Sequence, residues 1–122
     1  MKLGTLFVIT AVIALLFSLG FVLIPTTLLS LYAVDLNAQG IFISRLLGAA
    51  FVIFAIISWQ LRNSTGSSEA RSVVLAFTVG DLLGFVISLI YQLQGLANAL
   101  GWSTVAIYLL LGLGFGYFYI KK

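Results

Sequence analysis

Four long apolar runs separated by more polar stretches dominate the chain: Leu3–Ile24, Ile41–Leu61, Val73–Leu93 and Ser103–Ile120 (3-24, 41-61, 73-93 and 103-120). Each is close to the roughly 20 residues that a helix needs to cross a hydrocarbon core. Strands of a membrane barrel would alternate apolar and polar positions over about ten residues, and no run here alternates that way. The pattern predicts an all-α, transmembrane four-helix bundle in up-down-up-down order, forming one domain over residues 1-122.

The connections differ in character. Pro25 ends the first run, because proline cannot continue a helix without losing a backbone bond. In the stretch 25-40, Leu28, Leu29, Leu31 and Val34 interleave with Thr26, Thr27, Ser30 and Asp35. That mixture suits a short amphipathic segment lying at an interface. The second connection, Arg62–Ser72, is polar, and Ser68 is the expected cap of the third helix. The third, Gln94–Gly101, is short and uncharged, which makes the third and fourth helices neighbours.

Composition strengthens the membrane reading. The chain is 62% hydrophobic and 7% charged, against about half and about a quarter in soluble domains. Lys2 and the small residues Ser18 and Gly20 superficially resemble a signal peptide, but the apolar run continues through Ile24, so a retained helix is expected. With no cysteine and no histidine, thiol redox chemistry and His- or Cys-ligated metals and cofactors are excluded. Neither cofactor nor metal is expected. The net charge of +3 comes from scattered residues, so nucleic acid is not an expected partner.

Those charges indicate orientation instead. With the amino terminus inside, Lys2, Arg62, Arg71, Lys121 and Lys122 fall inside and only Arg45 outside. Positive residues favour the cytoplasmic side. Both termini are therefore expected to be cytoplasmic, in a multi-pass protein of a prokaryotic cytoplasmic membrane. So strong a bias also argues against an antiparallel dual-topology dimer.

Asp81 is the main chemical handle. It lies about 15 Å along the third helix from Arg71, at 1.5 Å per residue, and an ionisable group at such depth is a functional-site hypothesis by default. Three roles compete: a hydrogen-bonded structural group, a proton or cation site, and a contact to a partner subunit. Ser88 shares its face. Arg45, about 10 Å away in level, completes the candidate intramembrane polar site, although its side chain is expected to reach outward to lipid phosphates or Asp35. Ala76, Gly80 and Gly84 form a small-residue stripe, joined by Gly112 and Gly116 of the fourth run. Such residues allow close helix packing or docking of another chain. No nucleophile–base pair or paired carboxylate is visible, so no catalytic residue is assigned and an enzyme is not expected.

The segments LIPTTLLSLYAV (Leu23–Val34), SRLLGAA (Ser44–Ala50) and GWSTVAIYLLLGLGFGYF (Gly101–Phe118) resemble a loose class of small uncharacterised prokaryotic four-helix integral membrane proteins. The resemblance implies a four-helix bundle and no particular activity. Small multidrug exporters need a carboxylate in the first helix, which is lacking here, and the Phe- and Thr-rich pattern of fluoride channels is also missing. The leading expectation is a non-enzymatic accessory or structural subunit of a membrane complex, with lipids and other subunits or further copies as partners. The alternatives are a small transporter or channel using Asp81, and a binder of lipid or another hydrophobic ligand with 25-40 as its lid.

Overall fold

A computed structural model describes residues 1–121. The described residues form five helices: α1 (Leu3–Leu23), α2 (Pro25–Ser30), α3 (Ala38–Leu61), α4 (Ser68–Leu93) and α5 (Gly101–Lys121). All except α2 are long and apolar enough to cross a membrane.

The boundaries follow from the backbone accounting at each end. The Ile24 N–H still bonds the Gly20 carbonyl at 2.9 Å, after which Pro25 starts α2 at a position where its missing N–H is no loss. The expected interfacial segment thus divides into a six-residue helix and a turn. Leu28 of α2 packs beside Gly20 of α1. Two helices begin earlier than the apolar runs because polar loop residues cap them. The Asn37 side chain accepts from the Gly40 N–H at 2.7 Å, and α4 is capped by Ser67, not by the expected Ser68: its hydroxyl accepts from the Ala70 N–H at 3.1 Å. Ser68 lies inside the first turn and its hydroxyl donates to Glu69.

The long helices pack as two pairs, α1 with α3 and α4 with α5, and the pairs meet mainly along α1 and α5. In the first pair many of the buried positions are small. Ala11, Ala14 and Ser18 of α1 lie among the buried residues, as do Ser44, Gly48, Ala55 and Ser58 of α3. Their alternating three- and four-residue spacing is that of helices crossing at a shallow angle. At Gly48 an added Cβ would lie 3.1 Å from the Ser18 carbonyl oxygen, so the α1 backbone passes directly over it. The second pair fits large residues to small ones: Tyr108 lies over Gly84, and Leu82 over Gly112.

One cluster joins the pairs. Leu6 and Phe7 of α1, Ala70 and Val74 of α4, and Leu111 and Phe115 of α5 are buried together, with Phe7 and Phe115 fully enclosed. This cluster lies towards the end where Lys2, Arg62 and Lys121 border a common shallow hollow. Cations there stack on aromatic rings: Arg62 is 3.9 Å from the Trp59 ring and Arg71 4.1 Å from that of Tyr119. Along the middle of the long helices the surface is largely apolar. Phe42, Ile43, Leu46, Ile53 and Ile56 of α3 and Leu110 and Leu113 of α5 are all exposed, as helices bathed in lipid would be.

Candidate functional site: a cavity between the helix pairs

Because the pairs are fastened together at the basic end, they leave a cavity of about 580 Å³ between them further along. Its walls come from every helix. Thr10, Ile13, Phe17 and Phe21 contribute from α1, and Leu47, Phe51 and Phe54 from α3. Ala76, Phe77, Gly80, Asp81 and Ser88 come from α4, and Thr104, Ile107 and Tyr108 from α5. Leu29 of α2, with Tyr32, Val34 and Ala97 from the connecting segments, closes the end away from the basic residues. Leu47, Phe54, Ala76 and Gly80 line the cavity and are also exposed. The cavity therefore opens sideways between α3 and α4.

Phenylalanines build one wall. Phe17, Phe21 and Phe51 contact one another; Phe51 meets Phe54 at 5.9 Å and Phe54 meets Phe77 edge-on at 5.9 Å. Phe77 then meets Phe115 at 5.1 Å, and Phe115 meets Phe7 at 5.5 Å. This chain of rings links the cavity wall to the cluster that joins the pairs. Sequence reading missed it. The four- and three-residue spacings of Phe17/Phe21 and Phe51/Phe54 were the available signal, but in an apolar run a phenylalanine facing a cavity cannot be told from one facing lipid.

One carboxyl lines this apolar space without a hydrogen-bond partner. Asp81 is half-buried on the cavity wall, and among the described residues none donates a hydrogen bond to its carboxyl. Neighbouring hydroxyls are turned to their own helix: Ser88 donates to the Phe85 carbonyl and Thr78 to that of Val74. Thr10 also borders the cavity, but its hydroxyl oxygen is enclosed in the packing, away from the open space, and has no hydrogen-bond partner. A buried, unpaired polar atom is destabilising by about 1–3 kcal/mol, so the enclosed Thr10 hydroxyl is a local cost beside the cavity.

The other sequence candidates are distributed as follows. Arg45 is not near Asp81; its Nε donates to the Val22 carbonyl at 3.2 Å. That carbonyl is one that the break at Pro25 frees, and a cation at a helix C-terminus also suits the helix dipole. The small-residue stripe serves two purposes. Gly84, Gly112 and Gly116 lie in the α4–α5 contact, against Tyr108, Leu82 and Thr78, whereas a Cβ on Gly80 would meet nothing within 4 Å. Ala76 and Gly80 instead give the cavity its width. Among the described residues no three His, Cys, Asp or Glu side chains are grouped to hold a metal ion. Comparison with family models, curated proteins and solved structures returns no match to the chain.

The far end of the cavity is held by Asn98. Its backbone N–H donates to the Tyr32 carbonyl at 3.1 Å and its side-chain NH2 to the Leu31 carbonyl at 3.0 Å. The Asn98 carbonyl accepts from Gln92 at 2.9 Å, and its side-chain oxygen from the Leu100 N–H at 3.1 Å. One residue thus ties the α2–α3 connection to the α4–α5 connection. Ala33, in the tied segment, has a φ of 59°, a left-handed conformation that a residue with a Cβ rarely adopts.

Proposed function

We propose that this is a non-enzymatic membrane protein that binds an apolar small molecule in the cavity between its helix pairs. The carrying observation is the cavity itself: about 580 Å³, walled by phenylalanines, with the Asp81 carboxyl as an unpartnered polar point. A mostly apolar hollow with a few convergent polar groups is the usual form of a small-molecule site, typically about 300–1,000 Å³. The sideways opening between α3 and α4 gives a ligand dissolved in lipid a route in.

The protein crosses a cell membrane four times in up-down-up-down order, with both termini cytoplasmic. Lys2, Arg62 and Lys121 border one hollow, Arg71 bonds the Tyr119 carbonyl at 3.2 Å near the end of α5, and positive charge favours the cytoplasmic side. The aromatic rings stacked on these cations suit a lipid interface. The binding reading is favoured over an accessory subunit docking through the glycine stripe, because Gly84 and Gly112 are already covered by Tyr108 and Leu82.

Photolabelling tests the binding function. A diazirine-bearing alkyl probe, activated in membranes containing the protein, should label the cavity residues Phe17, Phe51 and Phe77. Gly80→Leu, which fills the cavity, should remove that labelling. Labelling restricted to lipid-facing positions such as Phe42 and Leu110, unchanged by Gly80→Leu, would refute the function.

A further inference from the structure

We infer that the cavity takes an organic cation: an apolar molecule whose ammonium group sits on Asp81 while its body lies against the phenylalanine wall. This rests on the reading of the cavity as a binding site and specifies its ligand. Among the described residues Asp81 is the only acid that lines the cavity, and no lysine or arginine does. The basic residues that could have neutralised it are engaged elsewhere. Arg45 donates to Val22, Arg62 and Arg71 are stacked on Trp59 and Tyr119, and Lys121 lies over Tyr117. A carboxylate that stays ionised away from water needs a partner charge and hydrogen bonds, and a cationic ligand would supply both.

The surroundings fit an ammonium group better than the other candidates. Aromatic faces attract cations, and Phe17, Phe51, Phe77 and Tyr108 all border the space. A metal ion is disfavoured, since hard cations take about six or more oxygen ligands and no acidic cluster is found among the described residues. An anion would find no positive side chain on the wall. A plain hydrocarbon tail would leave Asp81 unpaired.

The experiment uses two probes of one shape. 2-(1-Naphthyl)ethylamine is cationic at neutral pH, and 2-(1-naphthyl)ethanol is its uncharged counterpart. Binding of each is measured by fluorescence to the full chain in nanodiscs of phosphatidylcholine, with empty nanodiscs as the blank. Wild type should bind the amine about tenfold or more tightly than the alcohol, the scale of one charge-assisted contact. Asp81→Asn should abolish the difference and Asp81→Glu should keep it, with circular dichroism confirming that both variants fold. Gly80→Leu should weaken both probes. Equal affinity for the two probes in wild type, still lost in Gly80→Leu, would overturn the cation proposal while leaving the binding site standing. Saturable binding of neither probe above the blank, or binding indifferent to Gly80→Leu, would overturn both.

Discussion

Gly80 and Gly84 lie one helical turn apart on α4 and meet different surroundings. A side chain at Gly84 runs into the Tyr108 ring, whereas one at Gly80 enters open space. Overpacking a tight contact is destabilising by about 1–3 kcal/mol. Gly84→Leu should therefore lower the unfolding midpoint in mixed micelles by that amount, and Gly80→Leu should leave it within about 0.5 kcal/mol of wild type. An equal loss in both would mean that the α4 stripe is one continuous packed face. Ser58 gives a prediction of opposite sign. Its hydroxyl is fully buried between α1 and α3 with no partner, so Ser58→Ala should raise stability by about 1 kcal/mol in the same assay. The sequence made Asp81 conspicuous because a charge in an apolar run is costly wherever it points. It could not distinguish Gly80 from Gly84, because that distinction depends on Tyr108, a residue of another helix.

The break at Pro25 and the existence of the four long helices could be read directly from the chain, because proline chemistry and run length are local properties. The tie between the two connections is not local. Asn98 is a polar residue in a short polar loop, and its partner carbonyls belong to Leu31 and Tyr32, far away in sequence. The tie holds a segment whose Ala33 adopts a left-handed conformation, unfavourable by roughly 1–2 kcal/mol for a residue with a Cβ. Asn98→Ala removes the side-chain bonds to Leu31 and Leu100 and should free the segment. Amide exchange over Leu31–Val34 should quicken several-fold to about tenfold, given roughly 1 kcal/mol per hydrogen bond, with the α1–α3 contact unaffected. Unchanged exchange would show that the Asn98 side chain is not needed, the backbone bond from residue 98 to the Tyr32 carbonyl and the Leu28–Gly20 packing sufficing to hold the segment.

For the molecule as a whole, the two pairs are joined by the cluster around Phe7 and Phe115, near the basic end, while the cavity occupies the space beyond it. The cluster fixes one end and Asn98 fastens the other, which leaves the α3–α4 side as the opening. The proposed orientation puts the basic end in the cytoplasm, so that the α2–α3 and α4–α5 connections face outward. The absence of native cysteine makes this a clean measurement, because each introduced thiol is the only one present. In intact cells a membrane-impermeant maleimide should label Gln94→Cys, in the α4–α5 connection, and should reach Lys2→Cys and Thr65→Cys only after the membrane is opened. Lys2 and Thr65 border the same hollow at the basic end, so they must respond alike. Labelling of Lys2→Cys and protection of Gln94→Cys would invert the protein and with it the side on which Asn98 lies. Labelling of all three positions in intact cells would mean that the chain inserts both ways round, and the five-to-one division of its six basic residues would not determine its orientation.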